Sequence, residues 1–193
     1  MFNTPCILFA GGKSSRMGQD KSLLPFGGFA TLTEYQYSKL TQIFQDVYIS
    51  TKNPAKFSFS ATFLIDLSEF ENIYAPSAGF ITAFKKLQTE KIFVLSVDTP
   101  FVQKETITKL LTVDTTRVDA TVAKTPLGVQ TMCGVYHRTL LEKFIHMQKE
   151  QNYKLQSVLK DTKVCYVNFD DEKLFLNLNH LHEYQEALNL LNS

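Results

Sequence analysis

Residues 8–21 read LFAGGKSSRMGQDK, in which a short apolar run leads directly into two glycines and a polar, basic segment. The run CILFA (6–10) is continuously apolar over the length of a strand, so a buried strand is predicted there. Glycine lets the backbone approach a ligand closely, and consecutive backbone N–H groups can form a concave anion site. The stretch therefore predicts a buried strand followed by a loop that binds an anion, most obviously phosphate.

Two basic side chains in this loop strengthen the phosphate interpretation. Arg16 can hold phosphate oxygens with its planar guanidinium, and Lys21 can offer a compact charge to an oxygen that becomes more negative during a reaction. The alternative is a solvated loop whose charges are incidental. Two cations on so short a loop are hard to explain by folding alone, which favours a phosphate site.

The spacing of the glycines excludes two common phosphate-binding loops. A P-loop requires Gly-Lys starting five residues after its first glycine, but Arg16 and Met17 stand five residues after Gly11 and Gly12. A dinucleotide fingerprint requires G-x-G-x-x-G, whereas the next glycine here, Gly18, follows Gly12 by six residues. The sequence therefore argues against a P-loop NTPase and against a nicotinamide-dependent dehydrogenase.

The composition indicates an ordinary globular protein. The chain has 193 residues, of which 44% are hydrophobic and 20% charged, and it contains no repeat or linker, so a single domain over 1–193 is expected. Lys and Arg number 20 against 19 for Asp and Glu, which gives no general electrostatic reason to bind nucleic acid or a membrane. The three cysteines are widely spaced and no apolar run could span a bilayer, so a cytoplasmic location is expected.

Strand-like and helix-like segments alternate along the chain. Such alternation predicts an α/β fold with a mostly parallel sheet that is covered on both faces, and ligands that bind beyond the carboxyl ends of the strands. The glycine loop follows such an end. Strands are predicted at residues 6–10, 47–51, 62–66, 92–98, 118–124, 130–137 and 164–169, and helices at 31–45, 78–90, 103–112, 138–148, 154–160 and 181–191.

The segment SVDTP (96–100) places a carboxylate at the end of a predicted strand. Mg²⁺ prefers a few carboxylates together with water and substrate phosphates, so Asp98 is predicted to be a Mg²⁺ ligand. A solvated aspartate or a helix cap is the alternative explanation of this residue when the motif is considered alone.

The segment FLNLN (175–179) lies near the C-terminus. Alternation along an extended chain puts Asn177 and Asn179 on one side, where two amides could orient a phosphate, a pterin or a metal-bound water. Without further context, turn formation or capping of the last helix is the better explanation of the asparagines.

Taken together, these motifs resemble those of the molybdenum cofactor guanylyltransferases, the MobA-like family. The glycine loop matches the pattern A-G-G-x-x-x-R-M-G-x-D-K of nucleotidyltransferases, and FLNLN matches the family's F-x-N-x-N segment in the expected order. APSAG (75–79) occupies the place of the family's G-P-L-x-G turn and keeps Pro76 and Gly79. The residues Ser77-Ala78 and His180-Leu181-His182 depart from the usual pattern and leave the pterin contacts open.

The resemblance implies a Rossmann-like, three-layer fold that binds GTP and Mg²⁺ and transfers GMP to molybdopterin with release of pyrophosphate. Lys21, Arg16 and Asp98 would be catalytic, and Asp98 would hold the metal. Base selectivity could come from backbone groups near Leu8 to Ala10. The residues implied in binding the substrates are Leu8, Ala10, Gly11, Gly12, Gly18, Lys21, Asp66, Gly79, Asp98, Gln130, Asn177 and Asn179, and Gly134 is a further candidate for contact with the acceptor.

Three other functions remain open at this point. A related transferase could use CTP or another nucleotide on a pterin, sugar or polyol phosphate. A GTP-binding maturation factor could keep the pocket and deliver the cofactor without catalysis, and molybdoenzyme maturation proteins are in either case expected partners. An unrelated structural α/β protein would require the ordered motifs to be a coincidence.

Overall fold

A computed structural model describes residues 1–11 and 18–192, and the predicted phosphate contacts of Gly12 and Arg16 lie outside this range. The chain forms a sheet of seven strands in the order β3-β2-β1-β4-β6-β5-β7. The strands are β1 (Cys6–Phe9), β2 (Val47–Thr51), β3 (Phe63–Ile65), β4 (Lys91–Ser96), β5 (Ala120–Thr125), β6 (Gly128–His137) and β7 (Val164–Asn168).

The strand directions confirm the expected mostly parallel sheet. β1 lies between β2 and β4 and is parallel to both, while β3 is parallel to β2. β6 pairs antiparallel with both β4 and β5, and β7 runs parallel to β5, so β6 alone among these seven strands runs in the opposite direction. The carboxyl ends of β1 and β4 therefore meet at one edge of the sheet, where the glycine loop and Asp98 follow.

Helices cover both faces of the sheet, which confirms the three-layer α/β architecture. Side chains of β1 alternate between the two cores: Leu8 packs with the first group of helices, and Ile7 and Phe9 pack with the second. The first group comprises α1 (Leu32–Thr41), α3 (Lys104–Val113) and α6 (Leu181–Asn192), and the second comprises α2 (Pro76–Leu87), α4 (Leu141–Lys149) and α5 (Leu155–Lys160).

Several element ends differ from the sequence prediction. α1 begins after Thr31, whose hydroxyl accepts a hydrogen bond from the Glu34 N–H at 3.0 Å, and it ends four residues earlier than predicted. Ile43 and Phe44 nevertheless remain in the core, which explains why their spacing resembled a continuing helix. β4 ends at Ser96, so Asp98 lies in a turn beyond the strand, not in it.

Two expectations drawn from composition can be compared with the described residues. Cys6, Cys133 and Cys165 are all free thiols. None of the helices in residues 1–11 and 18–192 is both long and apolar enough to cross a membrane.

Candidate active site

Three sequence motifs meet beyond the carboxyl ends of β1 and β4. The Lys21 ammonium donates hydrogen bonds to Asp98 Oδ2 and, at 3.2 Å, to Asn179 Oδ1. Lys21 opens a short 3₁₀ helix whose N-cap is Asp20, because the Asp20 carboxylate accepts from the Ser22 N–H at 3.0 Å. The fold thus brings together one residue from each of the glycine loop, SVDTP and FLNLN.

The two oxygens of the Asp98 carboxylate differ in their hydrogen bonding: Oδ2 accepts from Lys21, and Oδ1 does not take part in that bond. The residue is 8% exposed, and its Oδ1 has no hydrogen-bond partner among the described residues. A buried carboxylate oxygen without a partner is costly unless a ligand or cation completes it, so Asp98 fits the role of a ligand for a divalent metal. Within 1–11 and 18–192 no three His, Cys, Asp or Glu side chains gather as a metal cluster, so phosphate and water would supply the other ligands.

The FLNLN segment lies directly against the Asp98 turn. The Leu178 N–H donates to the Asp98 backbone oxygen at 2.9 Å, and the Leu178 side chain is fully buried while both neighbouring asparagines are half-buried. The Asn177 amide donates to the Phe175 carbonyl at 3.3 Å, a local contact. Of the two asparagines, Asn179 accepts a hydrogen bond from Lys21 through its side chain, whereas the Asn177 amide bonds within its own segment.

Glu183 caps helix α6. Its carboxylate accepts hydrogen bonds from the backbone N–H groups of Asn179, at 2.6 Å, and His180, at 2.7 Å. The Asn179 side chain is therefore not needed as the cap, and it points to Lys21 instead. The capping explanation of this asparagine is thereby removed.

A lysine that the sequence motifs did not reveal joins the two ends of the glycine loop. The Lys56 ammonium donates to the Ala10 carbonyl at 3.2 Å, to Asp20 Oδ2 at 2.7 Å and to the Ser22 hydroxyl at 2.9 Å. Burial raises the pKa of Asp20, but the hydrogen bonds and charge of Lys56 and the Ser22 contacts outweigh it and hold the pKa below its usual value. Lys56 belongs to no recognisable motif, so only the fold could identify it.

A cavity of about 190 Å³ lies between the ends of β1 and β2 and the start of α2, and Gly11 and Ser96 in its wall belong to the segments that lead to Lys21 and Asp98. Gly79 permits this packing, because a Cβ atom there would lie 2.4 Å from Phe9 Cε1 and 3.0 Å from the Ser50 hydroxyl oxygen. Gly11, Asp66 and Gly79, which were predicted as binding residues, all line the cavity, together with Phe9, Ser50, Thr51, Lys52, Ile73, Tyr74, Ala75, Pro76, Ser96 and Met132.

The Asp66 carboxylate, in the wall of this cavity, has one oxygen that accepts no hydrogen bond from the described residues. Its Oδ1 is buried without a hydrogen-bond partner among the residues described, and Oδ2 lies 3.7 Å from the Lys52 ammonium. Burial raises the pKa of Asp66, and the nearby charges of Lys52 and Lys86 only partly oppose that shift. Lys52 also donates to the carbonyls of Phe70 and, at 2.8 Å, Glu71, so it fastens the segment that follows Asp66.

Comparison with known proteins assigns this arrangement to a family. The model of the MobA-like NTP transferase domain matches residues 6–165. The chain belongs to the MobA-like NTP transferase family.

Relatives of known name match nearly the whole chain. A molybdenum cofactor guanylyltransferase of Helicobacter pylori is 37% identical over 98% of this chain and 94% of its own length. The protein of the same name from Campylobacter jejuni is 36% identical over 94% of this chain and 93% of its own. The crystal structure of molybdopterin-guanine dinucleotide biosynthesis protein A from Archaeoglobus fulgidus superposes with a TM-score of 0.83 at 18% identity, covering 98% and 99% of the two chains, and supports the fold.

Some predicted binding residues of this MobA-like chain lie away from the cavity. The Leu8 side chain is fully buried in the core, so only its backbone remains available to a ligand. Gln130 donates to the Thr125 hydroxyl at 3.5 Å and does not line the cavity, whereas Met132 does. At Gly134 a Cβ atom would lie 2.4 Å from the Thr121 carbonyl oxygen, so the close approach of β5 and β6 accounts for this glycine.

Ala10 and Gly18 lie on either side of residues 12–17 of the glycine loop. The Ala10 N–H donates to the Ser50 carbonyl at 3.1 Å, which anchors the start of the loop to β2. Gly18 has φ of +69°, in the left-handed region that residues with a side chain rarely adopt. Glycine is therefore favoured at this position, shortly before Lys21. The phosphate contacts of this loop stay predictions.

Proposed function

We propose that this protein transfers GMP from GTP to molybdopterin, forming the molybdopterin guanine dinucleotide cofactor and releasing pyrophosphate, with Mg²⁺ as the metal. The observation that carries the proposal is that Lys21, Asp98 and Asn179 meet beyond the carboxyl ends of β1 and β4, where the cavity lined by Gly11, Asp66 and Gly79 also lies. Relatives at 36% and 37% identity bear the name of this activity, which supports the choice of nucleotide and acceptor.

The cavity is the proposed nucleoside site. Its wall combines apolar contacts from Phe9 and Met132 with the uncommitted carboxylate oxygen of Asp66, as expected for a base or ribose. Gly11 lines the cavity and begins the glycine loop, so a nucleoside bound there would direct its phosphates toward the loop and Lys21. The backbone of Gly12 and Gly18 and the Arg16 guanidinium are proposed to complete the phosphate contacts.

The chemistry requires no nucleophile from the protein. A terminal phosphate oxygen of molybdopterin forms a bond to the α-phosphorus of GTP, while the bond between that phosphorus and the bridging oxygen breaks and its electrons leave with pyrophosphate. Lys21 stabilises the negative charge on the phosphate oxygens, and Asn179 and Asp98 hold the Lys21 ammonium in place. Mg²⁺ bound through Asp98 would add positive charge next to the triphosphate.

A nucleotide panel tests the proposal. Pyrophosphate release and nucleotidylated pterin are measured with molybdopterin, Mg²⁺ and each of GTP, CTP, ATP and UTP. Product with GTP alone is the expected result. Product with CTP instead would indicate a related transferase that uses the same site with a different nucleotide. Tight GTP binding without product would favour a cofactor-delivery factor.

Three further expectations from the sequence stay predictions. They are a single domain over residues 1–193, action in the cytoplasm, and transfer of the product to molybdoenzyme maturation proteins. Limited proteolysis, localisation of the tagged protein and affinity capture of such maturation proteins would test them separately.

A further inference from the structure

Helix α1 lies behind the turn that carries Asp98. The Gln36 side chain is fully buried, and its amide nitrogen donates to the backbone carbonyls of Thr99, at 3.0 Å, and Val97, at 3.4 Å. These carbonyls flank Asp98 on both sides in the chain. Gln36 therefore binds the backbone of the turn next to the carboxylate while leaving the carboxylate itself free to face Lys21.

Lys39, one turn further along α1, binds the next part of the same segment. Its ammonium donates to the carbonyls of Pro100, at 2.6 Å, and Val102, at 3.0 Å, and lies 5.4 Å from the centre of the Tyr35 ring. Burial lowers the pKa of Lys39 to about 8. The ion pairs found among the described residues do not include Lys39, so these carbonyls and the ring provide the contacts that offset its desolvation.

The segment between β4 and α3 has little regular structure of its own. Within the turn, the Thr99 N–H and hydroxyl bind the Ser96 carbonyl at 3.3 Å and 2.9 Å. From the FLNLN segment, the Leu178 N–H donates to the Asp98 carbonyl at 2.9 Å. The position of Asp98 therefore depends on contacts from other elements. Helix α1 supplies hydrogen bonds to four backbone carbonyls of residues 97–102.

We propose that Gln36 and Lys39 are positioning residues that hold the 97–102 segment so that Asp98 can bind Lys21 and the divalent metal. The inference rests on the proposed function, because it takes Asp98 as the metal ligand. Neither side chain touches the substrates in this account. Their effect passes through the backbone of the turn, as with the outer contacts that orient ligands in other metal sites.

The alternative is that the two side chains stabilise the fold without affecting the site. Metal binding in the presence of GTP separates the two roles, and Mn²⁺ makes it measurable by electron paramagnetic resonance without turnover. We expect Lys39→Met and Gln36→Met each to weaken Mn²⁺ binding about 10-fold, the lower end of the effect of outer contacts on metal affinity.

Lys109, whose side chain is exposed, provides a control with the same kinds of contact. It also lies on a helix, donates to a backbone carbonyl, that of Asn168, at 3.1 Å, and stands 4.6 Å from the centre of an aromatic ring, that of Phe169. Lys109→Met should leave Mn²⁺ binding unchanged, because its contacts lie away from the 97–102 segment. Wild-type Mn²⁺ affinity in folded Lys39→Met and Gln36→Met proteins would overturn the inference, and if Lys39→Met fails to fold, Gln36→Met decides.

A double-mutant cycle provides a second test. If Lys39 acts by placing Asp98, Lys39→Met should change pyrophosphate release little once Asp98 has been replaced by Asn, whereas independent roles would give multiplicative losses. Multiplicative losses would overturn the inference. If wild-type protein binds GTP and Mn²⁺ but makes no guanylylated pterin, the proposed function fails while the Mn²⁺ titrations still test Gln36 and Lys39.

Discussion

Strand β4 has a lysine–aspartate pair near each end, and the two pairs differ in how completely they are bonded. At the start of the strand, the Lys91 ammonium lies 2.7 Å from Asp114 Oδ2. Beyond its other end, Lys21 pairs with Asp98. The same two residue types thus occur at opposite ends of β4, and only the second pair includes a residue of the glycine-loop motif, Lys21.

The carboxylate of Asp114 is fully bonded. Its side chain is completely enclosed, Oδ2 binds Lys91, and Oδ1 accepts from the Thr121 hydroxyl and contacts His137 Nε2, both at 2.9 Å. Burial raises the pKa of Asp114, but the hydrogen bonds from His137, Lys91 and Thr121 outweigh it and hold the pKa below its usual value. A carboxylate bonded in this way stabilises the fold and has no free oxygen for a ligand.

Asp98 differs because one of its oxygens has no partner within the described part of the chain. Asp66, in the cavity wall, shares this property. Uncompensated buried acceptors lower stability, more so on a charged group than on the neutral amides of Gln36 and Gln148, whose oxygens also lack partners in the described residues, and a bound ligand or ion is one way to complete them. The comparison indicates that the degree of bonding, more than the presence of a charge pair, distinguishes the candidate site from a structural ion cluster.

The largest expected effect is the loss of turnover in Asp98→Asn and Lys21→Ala. Each should reduce the rate of pyrophosphate release by about 100-fold or more, equivalent to about 2.7 kcal/mol of transition-state stabilisation, because each removes a charge next to the phosphates. Steady-state rates and thermal unfolding are measured on the same preparations. Near-wild-type turnover in a folded Asp98→Asn protein would remove the metal assignment.

The equivalent substitution in the Lys91–Asp114 pair should lower stability and leave turnover unchanged. Asp114→Asn leaves the partly exposed Lys91 and the buried His137 without their carboxylate and is expected to lower the free energy of unfolding by about 2 kcal/mol, as for lost hydrogen bonds to charged groups. Turnover per folded molecule should stay at the wild-type level. Denaturant unfolding together with kinetics checks both points, and a turnover loss like that of Asp98→Asn would invalidate the comparison.

Two glycines extend the comparison from charge to packing. Gly79→Ala places a Cβ atom against Phe9 in the cavity wall, and Gly134→Ala places one 2.4 Å from the Thr121 backbone oxygen inside the sheet. Each should cost about 1–3 kcal/mol of stability, as overpacking usually does. Only Gly79→Ala should also raise the KM for GTP, which kinetics at varied GTP concentration would show. An equal rise in Gly134→Ala would argue against the proposed nucleoside cavity.

The smallest effect concerns acid stability. Because the folded pKa of Asp114 lies below its unfolded value, the unfolded chain binds more protons between the two values, and stability falls as the pH drops through this window. The window lies below about pH 4, the ordinary pKa of aspartate. Unfolding at several pH values should show a shallower loss in Asp114→Asn than in wild type. If the free energy of unfolding falls equally steeply with decreasing pH in both proteins, Asp114 does not cause the loss of stability in acid.

The sequence predicted most of the fold, because apolar runs and helical spacing report burial directly. It also pointed to Lys21, Asp98 and Asn179, each in a motif with local spacing; the structure brings these three together, and their roles stay predictions. It could not predict Gln36, Lys39, Lys52 or Lys56, whose partners are mostly backbone carbonyls of distant segments and leave no pattern in the chain. The acceptor contact of Gln130 stays a prediction: in the structure Gln130 contacts Thr125, while Met132 of the same strand lines the cavity.

The most direct measurement is mass spectrometry of the pterin after incubation of molybdopterin, GTP and Mg²⁺ with wild-type, Asp98→Asn and Asp114→Asn proteins under conditions where all three are folded. The account predicts a mass increase of one guanylyl group with wild type and Asp114→Asn and a strongly reduced amount with Asp98→Asn. No guanylylated pterin with wild type, or equal amounts with wild type and Asp98→Asn, would contradict it.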